Sequence, residues 1–218
     1  MNAVMTPDQQ PQQQHPLARP DATAWQTLER SAARLSPAKF AHAVCMTAQL
    51  AAMRHWYLAV LNATIAFEND DLCFMSYDDE HHRIGLIRFD GIAPKAQQPT
   101  SGVDHLSFTY NELGDLFGTY LRLKALGIEP YWNINHGPTT SMYYKDPDGN
   151  KVELQVDNFT DAECDAFFAD GNYLENPIGV MFDPEEWIAR HLAGEPARSI
   201  TVRPPLPPGV SPHDMIRF

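Results

Sequence analysis

The stretch from His136 to Val156 constrains this chain more than any other. It reads as a β-hairpin: Ser141–Lys145, a turn, then Asn150–Val156, with aliphatic residues alternating with polar ones. Asp146-Pro147-Asp148-Gly149 is turn chemistry, Pro147 pre-setting φ at the first central position of a type I turn and Gly149 taking the left-handed residue of the bulge that follows. A three-residue loop of this kind closes Asp146 against Asn150. Counting back, Lys145 faces Lys151 and Tyr143 faces Glu153, so a phenol and a carboxylate project on one side of the sheet.

On the second strand Val152, Leu154 and Val156 point one way and Lys151, Glu153 and Gln155 the other. If both faces are covered, Glu153 is a carboxylate in a sheet interior and needs a partner ion or a metal. If one face is wet, it is an ordinary solvated residue. The hairpin alone leaves both readings open.

The rest of the chain adds an internal duplication. A short strand over Lys39–Met46 precedes a helical stretch over Ala48–Leu61 and strands at Ile65–Phe67, Leu72–Tyr77 and His82–Phe89. After a Pro/Gln linker (Ile92–Thr100) the same β-α-β-β-β order returns. It runs through Gly102–Phe108, a helix over Leu113–Leu126 carrying Leu116, Phe117, Tyr120 and Leu123, a strand at Glu129–Asn133, and the hairpin. With the first strands aligned, His42 matches His105; with the last aligned, Gly85 matches Glu153. The predicted organisation is therefore an N-terminal tail and short helix (1–37, the helix over Asp21–Leu35), a duplicated α+β domain (38–157, modules 38–91 and 101–157), and a C-terminal extension (158–218). The extension carries helix patterns at Asp161–Phe168 and Pro184–Leu192, then a Pro-rich run from Arg203 to Pro208 expected along the surface or against a partner subunit, with no chemistry assigned to it.

Composition narrows the function classes. A net charge of −12 argues against nucleic acid and anionic membrane surfaces as partners. There is no apolar run of spanning length, and the Gln-rich start (Gln9–Gln14) reads as disordered lead-in rather than a signal peptide, so a cytoplasmic protein is expected. Cys45, Cys73 and Cys164 are odd in number without CxxC spacing, and read as reduced thiols. His55, His191 and His213 are given no role.

Two imidazoles and one carboxylate from different strands suit iron, manganese or zinc better than calcium or magnesium, and leave one face of the ion open. A single strand histidine is more often structural; three such groups at equivalent repeat positions are the argument.

From about Lys39 to Asp157 the chain resembles the vicinal oxygen chelate superfamily, and within it the single-domain type I extradiol catechol dioxygenases. The resemblance is carried by Phe40-Ala41-His42, Val103-Asp104-His105, Lys151-Val152-Glu153-Leu154, His81-His82-Arg83-Ile84, Asn135-His136-Gly137 and Tyr143. It implies two βαβββ modules forming an open barrel around a metal, with His42, His105 and Glu153 as ligands of Fe(II), Mn(II) being the alternative. It also implies a catechol and O2 as substrates, His82 as acid/base, Tyr143 and His136 as hydrogen-bonding partners of the substrate oxygens, and a homodimer or higher homo-oligomer. His81 competes with His82 for the acid/base role, and Tyr144 replaces Tyr143 if the turn lacks its bulge.

Three rivals stand beside this reading. A glyoxalase-type isomerase or lyase would use a fourth ligand where Gly85 stands. A 2-oxo-acid-dependent dioxygenase would have the triad without need of His82, His136 and Tyr143. A metal-free binding protein of the resistance type would leave three buried polar groups unligated.

Overall fold

The computed structural model describes Thr23 and residues 36–96 and 100–218; the helix expected over Asp21–Leu35 lies outside the described residues, as do residues 97–99 of the linker. The chain divides into a unit over Met1–Phe40 and one over Ala41–Phe218, and the second holds both modules and the C-terminal extension. Among the described residues no helix is long and apolar enough to cross a membrane.

The first module is β1 (Ala43–Thr47), α1 (Leu50–Leu61), β2 (Thr64–Glu68), β3 (Leu72–Ser76) and β4 (Ile84–Arg88). The second is β5 (His105–Tyr110), α2 (Leu113–Ala125), β6 (Trp132–Asn135), β7 (Thr139–Lys145) and β8 (Lys151–Asp157). The strands form two mixed sheets, β1-β4-β3-β2 and β5-β8-β7-β6-β9, the last being Val180–Met181 from the extension. In each, the first strand runs parallel to the fourth, which a helical crossover makes possible. The duplication is visible in the registers. Val44 pairs with Gly85, and Ser107, 63 positions on from Val44, pairs with Glu153. The fold is the expected α+β arrangement of paired modules, and its two sheets do not close into a single barrel.

Apolar helix faces and sheet faces meet in one core. Met53, Tyr57 and Val60 of α1 and Leu116, Phe117 and Leu123 of α2 pack with Met75, Leu86, Val152 and Leu154. Val152 and Leu154 alternate with the polar Lys151, Glu153 and Gln155 along β8. α2 ends as its Gly127 signal predicts: Gly127 is left-handed (φ 74°) and the amides of Gly127 and Ile128 donate to Lys124 and Leu123.

The expected helices that lie within the described residues and the hairpin fall where the sequence puts them, and the strand edges move. β4 starts at Ile84 rather than His82, because the chain reaches it from a turn over Tyr77–His82; Arg83 closes the ladder by donating its amide to Met75 and accepting from Ala43. β5 starts at His105, not Gly102, and β6 lies at Trp132–Asn135 instead of Glu129–Asn133, beyond Pro130, which has no amide to give a ladder. β9 carried no periodic signal at two residues, and the structure adds it to the second sheet.

The hairpin matches its derivation. Tyr143 faces Glu153 and Lys145 faces Lys151; the Asp146 amide donates to the Asn150 carbonyl at 2.9 Å and Gly149 sits at φ 82°. Asp146 is buried, and its carboxylate accepts from the Asp148 and Asn150 amides (3.0 and 2.8 Å), the Asn150 side chain (2.8 Å) and the Tyr57 hydroxyl of α1 (3.0 Å). Burial raises its pKa, and those donors oppose the rise. Removing one carboxylate leaves several buried donors unpaired, so Asp146→Ala is expected to lower the unfolding free energy by about 3 kcal/mol in urea titrations. A loss below about 1 kcal/mol would mean that the backbone turn holds the hairpin unaided.

Candidate active site

Glu153 lies mid-strand in β8, 4% exposed, on the face the alternation assigns to it. It is not a solvated residue. His105, at the start of the neighbouring strand, places Nε2 3.1 Å from one carboxylate oxygen, and Ser107, Ser141 and Tyr143 add hydrogen bonds. Burial pushes the Glu153 carboxyl up, but these donors together outweigh it and hold the group at about 2. The hydrogen bond to Glu153 drives His105 up to about 9; burial opposes this, and Asp104, whose carboxylate is 2.8 Å from Nδ1, reinforces it. With a carboxylate at each nitrogen, His105 is an imidazolium in the metal-free protein.

Tyr143 and His136 stand against the same carboxylate. Tyr143 comes from β7 opposite Glu153, and its ring meets the His105 ring edge-on at 5.3 Å. Burial first, then the negative charge of Glu153, raises its phenol pKa. His136 follows β6 directly, in the Asn135–Thr139 bend where its amide donates to the Thr139 carbonyl. Its Nε2 is 3.1 Å from the Tyr143 hydroxyl and 4.0 Å from Glu153. Burial lowers the pKa of His136. Tyr144 points to the opposite face, buried in the main core, as the bulged turn requires.

His42 and His82 form a second group on the first module. The His42 ring stacks on His82 at 4.3 Å, and His82 in turn stacks on Phe74 at 4.6 Å. Burial, followed by the neighbouring His42 and His81, lowers the pKa of His82. His81 faces His82 with the two Nδ1 atoms 2.6 Å apart. A cleft of about 340 Å³ is lined by β1 (Val44, Met46), which begins just after His42, and by β5 (His105, Leu106). The structure thus brings together His105, Glu153, Tyr143 and His136, and keeps His42 with His82. Among the described residues, no three His, Cys, Asp or Glu side chains converge closely enough to hold an ion.

The donor chemistry nonetheless fits a transition metal. Glu153 is held ionised, and His105 offers Nε2 towards it while Nδ1 rests on Asp104, the carboxylate partner that metal-binding histidines commonly have. His42 precedes the Val44–Gly85 pair as His105 precedes the Ser107–Glu153 pair.

Several partners escaped the sequence reading. Ser107 and Ser141 were detectable in principle, since each is two residues along a strand from a named site residue and so shares its face. Asp104 adjoins His105. The contacts from the extension had no such signal. Ile178 accepts from His136 Nδ1, and Arg203, in the Pro-rich run, donates to the His136 carbonyl at 3.2 Å. Leu206, Val210 and Met215 pack with Ile134 and Tyr143, so the run lies on this chain's own second sheet.

Residues 39–154 match the model of the glyoxalase/bleomycin resistance protein/dioxygenase superfamily. Among curated relatives, biphenyl-2,3-diol 1,2-dioxygenase 2 of Rhodococcus globerulus is 46% identical over 168 residues, 75% of this chain and 86% of that one. Biphenyl-2,3-diol 1,2-dioxygenase 3 of the same organism is 43% identical over 167 residues, 76% and 88% of the two chains. A glyoxalase/bleomycin resistance protein/dioxygenase crystal structure from Nocardioides covers 62% of this chain and 93% of its own at 17% identity, with a TM-score of 0.46.

The ion pair sets a pH window for the metal-free protein. His105 has its pKa raised from 6.5 to about 9, so its contribution is complete below 6.5 and lost as pH rises through about 9. Glu153 has its pKa lowered from 4.5 to about 2, so its contribution is complete above 4.5 and lost as pH falls through about 2. Urea stability of the metal-free protein is expected to decline above pH 6.5, and His105→Asn to remove that decline; an unchanged alkaline limb in the variant would contradict the pairing.

Proposed function

The chain belongs to the glyoxalase/bleomycin resistance protein/dioxygenase superfamily, and within it we propose an Fe(II)-dependent extradiol dioxygenase that opens a catechol-type ring with O2. The observation that carries this reading is the buried, ionised Glu153 facing His105 with Tyr143 and His136 gathered on it. The two Rhodococcus dioxygenases, similar over three quarters of the chain, support the same substrate class.

His42, His105 and Glu153 would hold the metal; Mn(II) suits the same donors. Bound there, it would supply the redox chemistry between ring and oxygen that side chains lack. The protein's own part is protonic and steric. A catechol brings two hydroxyl protons into the site, and the groups beside Glu153 differ in what they do with them. The Tyr143 phenol keeps its proton, because burial beside Glu153 opposes its ionisation, so it can donate to a substrate oxygen. His136, its pKa lowered by burial, is available as an uncharged acceptor. His82, lowered by burial and by the adjacent rings, is also neutral near pH 7 and can accept and return a proton. Its stacking between His42 and Phe74 fixes the plane of its ring. Gly85 stands at the repeat position of Glu153, so the first module offers no fourth ligand there, and this disfavours the glyoxalase-type rival.

Anaerobic reconstitution with Fe(II), a catechol panel and admission of air test the reading directly. A yellow ring-fission product with matching oxygen uptake is expected. His42→Ala, His105→Ala and Glu153→Ala should each lose bound metal, whereas His82→Ala should keep the metal and lose turnover by roughly 10²–10⁴-fold. Stoichiometric metal with neither colour nor oxygen uptake for any catechol would overturn the assignment.

A further inference from the structure

The C-terminal extension reaches into the site through backbone groups. Asn176 is buried, and its side-chain oxygen accepts from the Ile178 and Gly179 amides at 3.2 and 2.8 Å while its side-chain nitrogen donates to the Gly179 carbonyl at 3.0 Å. These bonds fold the Asn176–Gly179 turn so that the Ile178 carbonyl points at His136 Nδ1. Gly179 lies so close to β6 that a Cβ there would sit 2.3 Å from the Asn135 carbonyl oxygen, at φ 115°, so glycine alone permits the approach. Arg203 joins the two segments: Nη1 donates to the His136 carbonyl (3.2 Å) and the Asn176 carbonyl (2.9 Å), Nη2 donates to the Asn172 carbonyl (3.3 Å), and the guanidinium lies 4.9 Å from the centre of the Phe167 ring.

This arrangement decides where the proton of His136 sits. A carbonyl oxygen only accepts, so Nδ1 must carry the hydrogen, and in the neutral ring Nε2 is then a bare acceptor. Nε2 faces the Tyr143 hydroxyl, which is also a hydrogen-bond partner of Glu153. Tyr143 has one proton for two acceptors. When it serves Glu153, Nε2 is one donor short, on the side of the ring turned into the site.

We propose that the C-terminal extension is a positioning element of the active site, in which the Ile178 carbonyl and Arg203 hold His136 as its Nδ1-protonated tautomer and reserve Nε2 to accept a hydrogen bond from a substrate hydroxyl. Arg203 is a positioning residue: it acts through the backbone of His136 and of the Asn176–Gly179 turn. The substrate part of this inference rests on the dioxygenase reading above; the tautomer does not.

The test uses the full-length, metal-free protein with ¹⁵N-labelled histidine at mildly alkaline pH. Two-bond proton–nitrogen correlations, with His136 identified by its loss in His136→Gln, are expected to show a protonated Nδ1 and a bare Nε2. Arg203→Met should leave His136 averaging between tautomers and, in the iron-loaded enzyme, lower kcat roughly tenfold with metal affinity unchanged, the scale at which groups behind a site act; Arg203→Lys should recover part of both. A His136 protonated at Nε2 in the unmodified protein overturns the proposal, as does an Arg203→Met protein with unaltered His136 signals or unaltered kcat. If Arg203→Met does not fold, the spectrum of the unmodified protein still decides the tautomer. If no catechol is cleaved, the proposed activity fails while that spectrum stands on its own.

Discussion

Glu153 is a charge almost fully withdrawn from water, and much of the second module is arranged around that fact. An isolated carboxylate in such a place would take up a proton instead of staying ionised. Here it stays ionised because donors arrive from both sides: His105 and Ser107 from the parallel strand β5, Ser141 and Tyr143 from the antiparallel strand β7. Neither neighbouring strand alone supplies the full set. The mixed sheet, with its parallel partner on one side and its hairpin partner on the other, is what makes the site chemically possible, and the helical crossover through α2 is what makes the parallel partner possible.

The two modules have diverged around the same geometry. In the second, the β5–β8 pairing sets Ser107 against Glu153; in the first, the β1–β4 pairing sets Val44 against Gly85, where a Cβ would come within 3.2 Å of Val44 and 3.4 Å of Phe74. Polar residues in one half thus correspond to apolar ones in the other. His42 is the one polar ligand candidate that the first half keeps.

Much of this was readable from the residues alone, and the reasons are local. Asp146-Pro147-Asp148-Gly149 admits few turns, and a turn of known loop length fixes the register of the strands it joins; that is why Tyr143 could be set against Glu153 by counting. Repeat order and spacing then supplied His42 and His105. Sequence reasoning failed where the determinant is a backbone carbonyl or a long-range approach. Nothing in Asn176-Pro177-Ile178-Gly179 announces that its carbonyl meets a histidine 42 positions earlier. Arg203 sits in a Pro-rich run with no periodicity to read. The separation of His42 from His105 and Glu153 depends on how two sheets face one another, which no one-dimensional pattern encodes.

The bond from Tyr57 in α1 to Asp146 in the β7–β8 turn links the two halves of the duplication at buried atoms. Gln49, just before α1, extends the link by donating to the Pro147 carbonyl and the Asp148 carboxylate, and Arg122 of α2 donates back to the Ala59 carbonyl of α1. Each module therefore completes hydrogen bonds that the other leaves open at its helix or its turn. The chain's two repeats are in this sense not two folding units but one: loss of either strips hydrogen-bond partners from the other.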